Sequence, residues 1–438
     1  MPSALFSIGR SGLATSRASL ELTAQNIANA SNPDFARRSL SQGELVMTGA
    51  IGINTPDSLG GVRPGVIQRA ESALVQRQAR DAGSSLANAE AELTALRDVE
   101  SALETSGVFA GLVDFEAALT ALDANPLEPA LRLSAVESAR RMASNFQVAD
   151  SALANARSLV QGEAAAEVLQ VNELAAELAR VNRDLVGVRP GTNGQAALFD
   201  ARDKALRGLA EQFGITPVIN ANGTPSMPLV TGGVAASVSV SVAGDGTLAF
   251  AVAGAAFAPA SGAMAGRAAA LGGMADVQAQ LDGLAVSVIT IANSAQAAGV
   301  DANGAPGQPL LAGTGAGNMA VVLASASGLA TAPAGSPAGS RDTGNLAALL
   351  GTLGAATGPA AEADGLLLGL SSRVAALGTR REGLSVVAAS AESELLRATG
   401  VDLDDEAASL VRLQQAFEAN SRVIQVAAEL FDTLLGLR

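Results

Sequence analysis

Apolar residues return along this chain at two different periods, and the change of period divides it. Over the C-terminal segment Leu403, Ala407, Leu410, Gln414, Phe417, Ser421, Ile424, Ala428, Phe431 and Leu435 recur at alternating steps of four and three. That spacing lays them in one seam along a helix, as in a coiled coil. No Pro interrupts it, Asp402 stands at the N-cap position, and Asp404, Asp405 and Glu406 put acids where the positive end of the helix dipole favours them. Such a seam needs a partner for its apolar side. Near the other terminus Phe6, Leu13, Leu20 and Ile27 recur at intervals of seven inside Ser3 to Ala30. This predicts a helix about 42 Å long, closed by the Asn32-Pro33-Asp34 turn. The two seams match in period and length, and each is the candidate partner of the other.

Between them helical periodicity predominates. Val66 to Glu104, Phe109 to Leu122 and Pro126 to Val186 read as long helices broken at Ser106-Gly107 and Asn125-Pro126, and Gln195 to Phe213 as a further one. Arg37 to Gly65 holds short β-prone pieces (Leu40 to Met47, Gly49 to Pro56, Gly60 to Pro64) and reads as an extended connector with a hairpin. In Thr216 to Phe257 the period drops to two: Val238, Val240 and Val242 alternate with Ser, then Leu248, Phe250 and Val252 alternate with Ala across Gly244-Asp245-Gly246, which is a hairpin and its turn. Helices resume over Gly266 to Ala298 and Leu366 to Thr399, separated by a Gly/Pro/Ala-rich loop at 301–345. The fold class is therefore mainly α with a small β domain. Its layout is nested: a terminal-helix core (1–45 and 400–438), a helical middle domain (46–214 and 265–399) and an inserted β-rich outer domain (215–264).

Composition removes most chemistries. The chain has no Cys, His, Trp or Tyr, and Lys204 is its only lysine, so the usual zinc, copper, haem and triad ligands and nucleophile partners are missing. No Gly-Lys pair exists for a phosphate loop. The net charge of −14 opposes nucleic-acid binding. The longest apolar run of weight, Leu284 to Ala292, is too short to span a membrane, and the N-terminus lacks the pattern of a secretory signal peptide. Asp402, Asp404, Asp405 and Glu406 form a first-turn cluster read as a helix cap, not as a carboxylate pair across a cleft. Gly313-x-Gly315-x-Gly317 lacks the spacing of a dinucleotide loop and reads as a flexible loop. No enzyme activity, metal or cofactor is expected.

Two stretches carry a resemblance. Asn26-Ile27-Ala28-Asn29-Ala30-Ser31-Asn32-Pro33-Asp34-Phe35-Ala36-Arg37-Arg38, and Leu413 to Gln425 with Gln415 and Asn420, resemble the N- and C-terminal signatures of bacterial flagellar rod, hook and hook-associated proteins. Phe35 stands where that family commonly has Tyr. Within it, Phe431-Asp432-Thr433-Leu434-Leu435 and Ala197-Leu198-Phe199-Asp200-Ala201-Arg202-Asp203-Lys204 are similar to the hook-associated protein 1 group. The resemblance implies a secreted structural protein of the hook–filament junction that assembles on the hook tip through its terminal helices. It also implies flagellar type III export, with self-association, the hook protein, hook-associated protein 3 and an export chaperone on the C-terminal helix as partners. The assembly interface is then Phe6, Leu13, Leu20, Ile27, Leu403, Leu410, Phe417, Ile424, Phe431 and Leu435. Alternatives are a hook or rod protein of the same family, or a secreted coiled-coil adhesin. Residues 1 to 40 carry a net charge of +2 and 401 to 438 a net of −4, which favours their pairing only weakly beside apolar burial.

Overall fold

A computed structural model describes residues 2–44 and 60–436, with side chains at 5–44 and 60–433. Nine helices are found among the described residues: α1 (Pro2–Ala28), α2 (Ala73–Ser106), α3 (Val108–Ala124), α4 (Pro129–Gly187), α5 (Asn193–Phe213), α6 (Gly262–Ala298), α7 (Gly344–Leu353), α8 (Pro359–Thr399) and α9 (Leu403–Gly436). Strands β1 (Arg38–Glu44) and β2 (Val62–Arg69) form an antiparallel pair, and β3 (Val238–Val242), β4 (Leu248–Val252) and β5 (Ala255–Phe257) a three-stranded sheet; the other ladders are two residues long. The β-prone pieces at Gly49 to Pro56 and at the end of Leu40 to Met47 lie outside the described residues, as does the boundary at 45–46.

The break between α2 and α3 falls at Gly107, whose φ of 72° supplies the left-handed turn. Pro129 opens α4 at its first position, where its missing N–H costs nothing. One expectation fails: Val66 to Arg69 is not the start of a helix but the end of β2, in which Ile67, Gln68 and Arg69 pair with Leu40, Ser39 and Arg38. Short apolar runs satisfy either period, and the cross-strand partners lie outside the local window.

The main core lies where α2, α3, α4, α6, α7 and α8 meet, around the fully buried Leu96, Phe115, Leu119, Met142 and Phe146. An apolar window within Ala73–Ala124 has the hydropathy of a membrane span, yet it supplies Leu112, Phe115, Leu119 and Leu122 to this core. A second apolar cluster joins the C-terminal half of α4, α5 and the β segment. In it Phe213 meets Phe250 edge-on with ring centroids 5.6 Å apart. The β segment thus shares a core with α4 and α5 instead of enclosing its own.

The Gly/Pro/Ala-rich stretch at 301–345 is folded against the helices. Leu310, Leu311, Ala316, Met319 and Leu329 are buried in the main core. Arg132 of α4, itself buried, donates to the carbonyls of Pro126 (2.6 Å) and Leu329 (2.8 Å) and to Thr331 Oγ1 (2.8 Å). The Gly313–Gly317 run, read above as a flexible loop, wraps a carboxylate of the chain itself: Ala316 N donates to Asp282 Oδ1 at 2.8 Å. A Cβ at Gly315 or Gly317 would fall 2.4–2.5 Å from Asp282 or Asp150, so only glycine permits that approach.

Candidate assembly interface

Helices α1 and α9 lie side by side, and their contact is built on small residues. A Cβ on Gly9 would stand 2.8 Å from Ile424 Cγ1, and one on Gly12 2.5 Å from Asn420 Oδ1. With Thr15, Ser16, Ser19 and Thr23, all buried, these glycines form the inward face of α1, and the backbones approach closely because nothing larger intervenes.

The inward face of α9 is set by a choice between two registers that share Leu403, Leu410, Phe417, Ile424 and Phe431. The sequence seam continues through Ala407, Gln414, Ser421 and Ala428, of which Ser421 is half-buried and the other three are exposed. The face that meets α1 continues instead through Glu406, Leu413, Asn420 and Ala427, of which Glu406 and Ala427 are buried. Leu410, Phe417 and Ile424 are half-buried, as are Leu13, Leu20 and Ile27 on α1, while Phe6 is 47% exposed. Leu435 falls among the residues whose side chains lie outside the described ones. Phe6, Leu403 and Phe431, near the ends of the two helices, are left exposed. Leu5, Ile8, Val423, Val426 and Leu430 join them as exposed apolar residues.

Asp402 caps α9, its Oδ1 accepting from the amides of Asp404 (2.9 Å) and Asp405 (3.3 Å). Glu406 departs from the solvent-facing cap expected of it: it is 1% exposed and accepts from Arg37 Nε at 2.7 Å.

The N-terminal signature folds into a clamp. Asn26 bridges the turn twice: its Nδ2 donates to Arg38 O (2.8 Å) and its Oδ1 accepts from Arg38 N (3.1 Å). Asn29 donates to Gln25 O, Asn32 Oδ1 accepts from Asp34 N, and Phe35 lies under the Arg38 guanidinium at 4.6 Å. Pro33 is exposed at the turn and Gln415 is exposed on α9.

This clamp meets the Asp200-x-Arg202-Asp203 run of α5. Asp200 accepts from Arg38 Nη2 (2.5 Å), Arg69 Nε (2.7 Å) and Ala36 N (3.3 Å); Asp203 accepts from Arg69 Nη2 (2.8 Å), Arg202 (2.7 Å) and Gln76 (2.8 Å). Arg38 also pairs with Asn193. Asp34 takes Lys204 Nζ and Arg207 Nη1, each at 3.0 Å. Burial acts to lower the Arg69 pKa, but the charges and hydrogen bonds of Asp203 and Asp200 outweigh it and leave it raised. A buried charge is stable only when paired, and here two carboxylates hold three guanidinium groups from three elements, β1, β2 and α5. Two stretches singled out separately in the sequence are thus one junction, tying α1 and the β1–β2 hairpin to α5. The hairpin closes over Gly191, whose φ is 71° and whose carbonyl accepts from Ile67 N at 2.8 Å; a side chain there would collide with Val66.

A family profile described as "Flagellar hook-associated protein FlgK helical domain" matches residues 93–311, half of the chain. The chain belongs to the FlgK family. A second profile, "Flagellar basal body rod FlgEFG protein C-terminal", matches residues 392–437, the end of α8 and α9. The chain is similar to flagellar hook-associated protein 1 of Bacillus subtilis (25% identical over 236 residues, 52% of this chain and 46% of that protein). It is also similar to that of Escherichia coli (24% over 239 residues, 52% and 42%). It spans about half the length of these curated relatives. A solved structure titled as the flagellar hook junction protein FlgK from Burkholderia pseudomallei aligns over 54% of this chain and 46% of that one, with 23% identity and a TM-score of 0.47.

Proposed function

We propose that this FlgK-family chain is a structural component of the bacterial flagellum that assembles at the hook–filament junction through the outward side of its α1–α9 pair. The observation that carries the reading is the apolar side chains left uncovered around that pair: Leu403 (53% exposed), Val426 (52%) and Phe431 (54%) stay in solvent beside a contact already closed by Gly9 and Gly12. A helix pair that hides its glycines and presents its large apolar residues is suited to burial against further helices, each such side chain gaining about 1.5–3 kcal/mol when covered. Neighbouring copies, the hook protein and hook-associated protein 3 are the partners this reading implies, with an export chaperone covering the C-terminal helix before assembly. Localisation outside the cell and type III flagellar export belong to the same reading. The match of residues 392–437 to a rod-protein profile favours the alternative of a hook or rod protein; the helical-domain match over 93–311 favours the junction role over it.

The test is complementation of a strain lacking this protein with a Val426→Asp/Phe431→Asp variant. The expected outcome is a monomer with unchanged circular dichroism and hooks without filaments. Normal filaments from that variant would overturn the proposal.

A further inference from the structure

Three asparagines on three helices make the same pair of bonds. Asn26 of α1 donates from Nδ2 to Arg38 O (2.8 Å) and accepts at Oδ1 from Arg38 N (3.1 Å). Asn172 of α4 donates to Val238 O (2.9 Å) and accepts from Val238 N (2.8 Å). Asn293 of α6 donates to Leu311 O (2.7 Å) and accepts from the amides of Leu311 (3.0 Å) and Leu310 (2.9 Å). Arg38, Val238 and Leu311 each open a strand: β1, β3 and the two-residue strand Leu311–Ala312. The ladders show why their backbone groups are available. Ala70 N bonds Arg37 O, Ala253 N bonds Ser237 O and Val322 N bonds Leu310 O, so in an antiparallel pair the next residue of each strand turns its N–H and C=O to the free edge. There the side-chain amide presents a donor and an acceptor, as the backbone of a further strand would.

The same strands do not fix their own pairing. In β1 Leu40 is the single apolar side chain, and the pairing with β2 shifts between Leu40 and Gln42. β3 reads Val-Ser-Val-Ser-Val, so a slide of two residues along β4 keeps every Val on its face. Leu311–Ala312 is too short to select a partner by pattern. Register is weakly specified in such strands. We infer that Asn26, Asn172 and Asn293 are register locks, positioning residues that fix which strand residue meets which partner. The N-terminal signature carries one of them in Asn26. A one-residue slip of β1 would turn Arg38 away from Asp200 and open the charge junction. The locks act on the fold of the isolated chain, so the inference stands apart from the assembly reading.

The chain has no cysteine, and paired cysteines on the outer face of the hairpin therefore report the register of β3. Ser239 and Ala251 stand opposite each other, within reach of a disulfide; Ser241 with Ala251, and Ser239 with Ala249, are diagonal pairs about 7–8 Å apart and beyond it. In the full chain Ser239→Cys/Ala251→Cys is expected to close at least about tenfold faster than Ser241→Cys/Ala251→Cys or Ser239→Cys/Ala249→Cys, read by intact mass after alkylation. Asn172→Asp keeps the shape of the side chain but cannot donate to Val238 O. Added to each pair, it is expected to speed closure of one diagonal pair at least about fivefold, with β3 and β4 still protected in hydrogen exchange. An unchanged order of rates would overturn the inference. Equal closure of all three pairs would overturn it too, since that marks an unfolded hairpin and an asparagine that stabilises without selecting a register.

Discussion

The helical body and the terminal helix pair are both packed α-helices, yet they close in opposite ways. In the body, large side chains interdigitate: Leu96, Phe115, Leu119, Met142 and Phe146 are at most 1% exposed. In the α1–α9 pair the described apolar residues that reach full burial are Leu22 and Ala427, and the contact is made by Gly9, Gly12 and hydroxyl side chains. The body gains stability from apolar area removed from water, so its own residues suffice. The pair gains close approach but little buried area, and it leaves Phe6 and Phe431 at 47% and 54% exposure. Side chains that complete a core within one molecule are, in the pair, left for contact between molecules. The charge junction stands between the two regions and is what fastens one to the other.

Four substitutions break or sharpen this contrast. Phe146→Ala, in the body, is expected to destabilise the chain by about 3–5 kcal/mol in denaturant unfolding; a loss comparable to that of a surface substitution would remove the contrast. Asp200→Ala leaves Arg38 and Arg69 short of a counter-charge and is expected to cost about 3 kcal/mol. Hydrogen exchange should locate that loss at α1 and the β1–β2 hairpin, with α4 keeping its protection. Uniform loss would mean the junction belongs to the body. Gly12→Val forces Asn420 aside and is expected to cost about 1–3 kcal/mol, read as faster exchange in α1 and α9; no change would show that the helices can separate freely.

The smallest effect concerns Glu211, in a groove between α2, α5 and α8. Burial raises its pKa, Arg207 opposes this and Glu392 adds to it. A carboxyl whose folded pKa lies above its unfolded value binds more protons when folded, so its contribution falls as pH rises through that window. Glu211→Gln should therefore be equal to the wild type at acid pH and more stable by less than about 0.5 kcal/mol at neutral pH. A wild type more stable than the variant at neutral pH would show instead that the Arg207 pairing prevails.

Much of this was legible in the sequence, and the misses have physical reasons. The long helices and the Val238–Val252 hairpin follow from period and turn chemistry. The α9 register does not, because steps of three and four are met equally by the line through Gln414 and the line through Leu413 and Asn420. Glu406, read as part of the cap, and Asn420, read as part of the signature, are polar and so give no apolar mark of the inward face, where Arg37 and Gly12 meet them. Arg38 and Asp200 lie 162 residues apart, and no local pattern pairs them; the resemblance marked both stretches but not their contact. The order of 301–345 was hidden for the same reason, since its anchors, Arg132 and Asp282, sit in distant helices.

Lys204 gives the junction a practical property. Its ammonium is the chain's one lysine amine, 70% exposed and 3.0 Å from Asp34. An acylating reagent that spares α-amines therefore marks a single side chain, at the seam between the signature turn and α5. The ion pair with Asp34 tethers that amine to the signature turn, and opening of the turn separates the two. Acylation of that one amine thus labels the meeting of the signature turn and α5, readable by intact mass without any introduced residue.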